Sequence, residues 1–172
     1  ALRTARGLRQ INAPTFEIYR GLLGPEKFAD LIRRSGQIQV WTGDDSPLTK
    51  TLIQDIWREN GIEFQPLDRD ELRQLEPELS TDIDGGLFFP NNGMTVNPAR
   101  LVETLCGAFE RAGGVLRRES VMKIVPEGAG QYRLLANRSD ARYQKVAVTA
   151  GAWSAQLLRN LGIRIPLETE RG

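Results

Sequence analysis

The chain has 172 residues, of which 40% are hydrophobic, 26% charged and 7% aromatic, the composition of an ordinary globular protein of one domain or slightly more. Its 23 Lys and Arg against 22 Asp and Glu leave a formal charge of +1 with no basic block, which argues against a nucleic-acid binder or a polybasic membrane anchor. The absence of His and the single Cys106 remove His-based acid–base and metal chemistry, every Ser-His-Asp arrangement, an internal disulfide and a Cys-based zinc cluster.

In chain order, Leu2, Ala5, Leu8 and Ile11 fall at helical spacing, and Phe16, Tyr19, Leu22 and Leu23 continue the pattern beyond Pro14, which should break and restart the helix. Gly24-Pro25 opens a second helix carrying Phe28, Leu31 and Ile32, with Gly36 as a left-handed cap. The alternating run Gln37 to Thr42 predicts a half-buried strand. Ser46-Pro47 then starts a helix whose apolar face is Leu48, Leu52, Ile53, Ile56 and Trp57, stopped by Gly61.

Leu67 to Leu72 is a helix start with a capping box, Asp68 with Glu71, and a Leu67–Leu72 staple; Pro77 ends that helix. Gly85 to Pro90 predicts a strand and Asn91-Asn92-Gly93 a loop. Asn97-Pro98 begins a helix lined by Leu101, Leu105, Ala108 and Ala112 and closed by Gly113-Gly114. Val121 to Val125, Gln131 to Ala136 and Tyr143 to Thr149 predict a strand, a hairpin turning at Glu127 to Gly130, and a buried return strand. A last helix, Trp153 to Leu161, stops at Gly162, and Ile163 to Glu170 is strand-like. No transmembrane run of roughly 20 apolar residues and no signal-peptide core is present.

None of these residues completes a catalytic site. Asp44-Asp45 reads as turn and capping chemistry, Glu76 and Glu78 around Pro77 as solvated, and Asp82 and Asp84 as turn residues without calcium-loop spacing. Gly128-Ala129-Gly130 is a lone GxG followed by strand residues, hence a hairpin turn and not a phosphate loop. Val148-Thr149-Ala150-Gly151-Ala152-Trp153 is different: a β-branched strand runs into small residues and then a helix. Either a ligand approaches that backbone or strand and helix pack tightly. By themselves, Trp41, Trp57 and Trp153 read as packing residues.

Three segments resemble the D-amino acid oxidase superfamily. Gly85-Gly86-Leu87-Phe88-Phe89-Pro90 with Val96-Asn97-Pro98-Ala99-Arg100-Leu101-Val102 is similar to its G-G-L-x-x-P and V-N/D-P-x-x-L-V segment. Val148 to Ser154 resembles its V-x-A-A-G-A-W-S strand and turn, and Ile165 to Gly172 its P-L/V-x-P-x-R-G stretch. Leu67 to Pro77 matches the L-x-x-x-E-x-x-x-L-E-P that precedes them, so the resemblance covers about residues 60 to 172. The helical part before it, including Leu31 to Val40, resembles the D-amino acid dehydrogenase and glycine oxidase branch less specifically.

The resemblance implies an α+β fold, with an antiparallel-sheet substrate domain bearing helices and part of a Rossmann-like FAD-binding domain. By that likeness residues 1–96 belong mostly to the substrate-binding portion, 97–162 to the FAD-binding domain, and 163–172 to a strand crossing back. It implies FAD as cofactor, with Val121 at the adenine, Ala150 and Gly151 in the small-residue turn, and Trp153 beside the cofactor. No catalytic residue and no metal ligand is nominated. The family's G-x-G-x-x-G is absent, as is its C-terminal segment with the substrate-pairing arginine, and Asn92 to Val96 departs from the common D-G-H-V. The chain is therefore expected to be an internal slice, inactive alone and without retained FAD.

For the intact protein the resemblance implies oxidative deamination of D-amino acids or related amines. Hydride passes to flavin, and imine hydrolysis gives a 2-oxo acid and ammonia. The acceptor would be oxygen or a quinone, the partners an amino acid substrate and a second copy or an electron acceptor. Its bacterial respiratory relatives imply a place in the cytoplasm or on the inner-membrane periphery. The alternative is a free-standing, non-catalytic binding or assembly module built on the same fold.

Overall fold

The structure, a computed structural model, describes residues 2–43 and 51–167. The predicted start of a helix at Ser46-Pro47 lies outside them, as do Asp44-Asp45 and residues 168–172. The chain forms two compact units that part between Val115 and Leu116. Among the described residues no helix is long and apolar enough to cross a membrane.

The first unit opens with α1 (Leu2–Asn12), α2 (Thr15–Leu23) and α3 (Pro25–Leu31). Pro14 has no N–H to extend the α1 ladder, so the helix restarts at α2 as the sequence predicts. Gly24, at φ +76, ends α2 by donating its N–H to the Arg20 carbonyl at 3.0 Å, and Pro25 begins α3. Leu23, Phe28, Leu31 and Ile32 then bury together with Leu101 of α6 (Pro98–Arg111), with Phe16, Tyr19 and Leu105 packed around them. Leu31 is 1% exposed, so this cluster is the hydrophobic anchor of the helical half. Asn97 caps α6, its Oδ1 accepting from the Arg100 N–H at 3.0 Å.

Between α3 and α6 the chain builds two small antiparallel sheets. β1 (Ile32–Arg33) pairs with β5 (Met94–Thr95). β4 (Gly85–Phe89) is the central strand between β2 (Gln37–Trp41) and β3 (Gln65–Leu67). The alternating run and the Gly-Gly strand of the sequence are thus direct neighbours, Gln37 opposite Phe89 and Trp41 opposite Gly85. β1, β3 and β5 have two or three residues each, too short for any periodicity, and Pro66 is tolerated because β3 is an edge strand.

α4 (Thr51–Glu59) places Trp57 against Phe64 and Phe89, with ring centroids 4.8 and 5.7 Å apart. α5 (Arg69–Leu75) carries the expected capping box: Asp68 Oδ1 accepts from the Asp70 and Glu71 N–H groups, and Glu71 Oε2 accepts from the Asp68 N–H, all at 2.9 Å. Asp84 ties the same region together, pairing with Arg69 and accepting from the Gly43 N–H.

The second unit is a meander of β6 (Val121–Pro126), β7 (Tyr132–Ala136) and β8 (Asp140–Tyr143), followed by a 3-10 turn at Gly151–Trp153 and α7 (Ser154–Arg159). The β6–β7 turn falls at the predicted Gly-Ala-Gly, where Gly128, Ala129 and Gly130 all have positive φ and Glu127 and Gln131 close the hairpin.

Two expectations are corrected here. The strand foreseen over Tyr143 to Thr149 is instead Asp140–Tyr143, because Tyr143 faces Tyr132, the first residue of β7, and the chain beyond it has no strand partner among the described residues. The strand foreseen from Ile163 does not form over residues 163–167. There Leu167 N–H turns back onto the Ile165 carbonyl at 3.0 Å, around a proline that has no N–H to donate.

Candidate functional site

The residues nominated by the small-residue turn come together in the second unit. After β8 the segment from Val146 to Ala150 runs as a strand does, with Val146, Val148 and Ala150 half-buried and Ala147 and Thr149 exposed, but it has no strand partner among the described residues. Gly151 takes φ +54 and starts the 3-10 turn, and Trp153 N–H bonds the Ala150 carbonyl at 3.1 Å. That turn redirects the chain into α7, which packs back on β6.

These pieces enclose a cavity of about 640 Å³. Val121 lines it from the start of β6, Ala150 from the extended segment and Trp153 from the turn, so three of the four nominated residues share one cavity. Gly151 does not line it and serves by turning the backbone. Trp153, which taken alone reads as packing, is 71% exposed. Ile124, Leu134 and Leu157 complete the walls. They escaped the sequence reading because apolar residues on a strand and a helix face look like ordinary core.

A β-bulge between Val121 and Lys123 shifts the register at the mouth of the cavity. Just before it, Ser120 N–H donates to Asn137 Oδ1 and Asn137 N–H to the Ser120 carbonyl, both at 3.0 Å, fixing the start of β6. The rim residue Glu119 accepts from Ser139 Oγ at 2.6 Å. None of the lining residues is cationic. Apolar side chains make up most of the lining, and Glu119 is the charged residue among those that line it.

The other motifs do structural work. Gly128-Ala129-Gly130 is the hairpin turn, Asp84 is an ion-pair and turn residue, and Glu76 ends α5. Glu127 is held between Arg142, at 2.6 Å, and Arg133, whose Nε lies 2.9 Å away but off the hydrogen-bonding direction. The hydrogen bond from Arg142 and the charges of both guanidiniums hold the Glu127 carboxyl below its usual value, against a smaller opposing effect of desolvation.

A family model described as DAO, FAD dependent oxidoreductase, matches residues 2–172. The chain belongs to this family of FAD-dependent oxidoreductases. Among curated relatives, a D-amino-acid oxidase of Bradyrhizobium diazoefficiens is 27% identical over 174 residues, covering 99% of this chain and 40% of that protein. The peroxisomal sarcosine oxidase of Homo sapiens is 29% identical over 147 residues, covering 85% of this chain and 37% of that protein. The fold is shared with glycine oxidase from Geobacillus kaustophilus, at a TM-score of 0.67 and 24% identity over 90% of this chain and 40% of that one. The DAO chain thus spans about 40% of the length of these relatives, and its mixed helices and antiparallel sheets are part of a larger flavoprotein fold.

Proposed function

We propose that the protein carrying this chain oxidises D-amino acids, or closely related amines, and that its second unit receives the adenosine end of FAD. The observation that carries the reading is the convergence of Val121, Ala150 and Trp153 on one cavity that no Lys or Arg lines, within a chain of the DAO family. Val121 and Ala150 would hold the ring edge and ribose through backbone groups, the bulge at Val121 opening the strand for that approach. Trp153 would cover the exposed face and exclude water. FAD supplies the hydride acceptor, and the protein supplies binding and orientation. The names of the relatives, a D-amino-acid oxidase and a sarcosine oxidase, support an amino-bearing carbon as the site of oxidation. We place the reaction in the cytoplasm or at the inner-membrane periphery, with oxygen or a quinone taking the electrons onward.

Because the cavity offers one end of the cofactor only, the 172-residue chain alone should bind FAD weakly or not at all and turn over no substrate. The full-length protein should purify with a flavin absorbance that D-alanine bleaches without oxygen, more readily than L-alanine does. Trp153→Ala should weaken FAD retention roughly tenfold while leaving the melting temperature within a few degrees, because an exposed ring contributes little to the fold. Full-length protein that purifies without flavin, or retains it equally after Trp153→Ala, would sink the reading.

A further inference from the structure

The chain has two methionines, Met94 and Met122, exposed by 57% and 67%. Their surroundings differ. Met94 sits in β5 opposite Arg33 and does not line the cavity of the second unit. Met122 does line it, beside Val121. Consecutive residues of a regular strand point to opposite faces, so a regular strand would not present both to one cavity. The bulge resolves this. Val121 is paired with Ala136 and Lys123 with Leu135, which leaves Met122 as the extra residue, without a cross-strand partner.

Met122 therefore combines two properties. Its thioether is open to an oxidant in solution, and the same side chain belongs to an apolar wall that continues into buried Ile124. A thioether is apolar and adaptable, whereas its sulfoxide is polar and chiral. The sulfoxide oxygen accepts hydrogen bonds, and no Lys or Arg lines the cavity to stabilise it; Glu119, the charged lining residue, is itself an acceptor. Oxidation would thus place a polar group in a wall poorly equipped to satisfy it.

We infer that Met122 is a peroxide-sensitive modification site, at which oxidation to the sulfoxide weakens the hold of the second unit on its cofactor. This rests on the reading of the cavity as the receptor of the adenosine end of FAD. When oxygen takes two electrons and two protons from the reduced flavin it leaves as hydrogen peroxide, so the proposed reaction can supply the oxidant. The Met122 sulfur attacks one peroxide oxygen; the O–O bond breaks, an S–O bond forms, and the other oxygen leaves as water. Sulfur gives up two electrons and the peroxide takes them. Methionine sulfoxide reductases reverse the change, which makes the site a reversible brake on peroxide release.

The test treats full-length protein with hydrogen peroxide. Oxidised peptides are read by mass spectrometry, beside the flavin that stays with the protein on gel filtration. Oxidation of Met122 is expected, with about tenfold loss of FAD affinity. M94L should lose flavin as the parent does, whereas M122L should keep it; Leu fills a similar volume, and each variant is compared with its own untreated sample. Reductase treatment of the oxidised parent should restore retention, which separates Met122 from Trp153, an oxidisable lining residue that these enzymes do not repair. Met122 that stays reduced while Met94 oxidises, flavin lost equally from M122L, or a loss that reductase fails to reverse overturns the inference. Protein without flavin before treatment defeats the cofactor reading instead, whereas flavin that stays bound beside fully oxidised Met122 defeats this inference alone.

Discussion

At Gly86 the backbone of β4 runs so close to α5 that a Cβ would lie 2.7 Å from Leu72 Cδ2 and 3.2 Å from the Gln39 carbonyl oxygen. The neighbouring Gly85 admits the Trp41 ring in the same way, at 2.7 Å. Leu72 is 2% exposed, so it has little room to yield. Gly86→Ala should therefore destabilise the first unit by about 1–3 kcal/mol, read as a shift in the urea midpoint. Repeating it in a Leu72→Ala background should abolish most of that cost; an undiminished cost would mean that the contact is not its cause. In the sequence these two glycines read as the start of a strand and as part of a family motif, but not as contact points, because Trp41 and Leu72, which require them, are on other elements. The capping residues Asp68 and Asn97 were fully legible, since a cap is satisfied by amides two or three residues away.

Several elements whose signal is local formed where the sequence placed them, but Gly36 caps no helix, because α3 ends at Leu31 and Ile32–Arg33 pairs as β1. Pro14 split α1 from α2, and Gly128-Ala129-Gly130 turned the hairpin. The third strand of the meander was misplaced because the run from Val146 has a strand's alternation, whereas pairing is decided by where β7 begins. The meander also carries the ion cluster of Glu127, Arg133, Arg142 and Asp140. The folded-state pKa of Glu127 is depressed, chiefly by the hydrogen bond from Arg142. Its contribution to stability is thus present above the ordinary Glu pKa and is lost as the pH falls through the lower, folded value. Melting curves of the parent chain and Glu127→Gln should differ slightly at pH 7 and converge in acid. A gap that persists at pH 2 would contradict that assignment. The effect is kept small by solvent, since all four side chains are at least partly exposed.

For the molecule as a whole, family membership was legible in four short motifs, while the cavity was not. Its apolar walls come from β6, β7 and α7, and only the turn at Ala150 and Gly151 announced itself, through small residues between a strand and a helix. The segment from Val146 to Ala150 has a strand's alternation without a strand's partner. Its amides should exchange with solvent within seconds in the 172-residue chain and become protected in the full-length protein, where hydrogen exchange with mass spectrometry would detect the difference. Equally fast exchange in both would show that nothing pairs there.

The central position of β4 has a consequence for how the chain folds. The meander of the second unit joins strands that are adjacent in sequence, so its contacts cost little loop entropy and should form in microseconds to milliseconds. The sheet of the first unit joins Gln37 to Phe89, and neither β2 nor β3 has a partner until β4 has been synthesised and threaded between them. Until then Trp41, Trp57 and Leu72 have no sheet to cover. The sheet of the first unit should therefore close more slowly than the meander, and its closure waits on five residues, Gly85–Phe89.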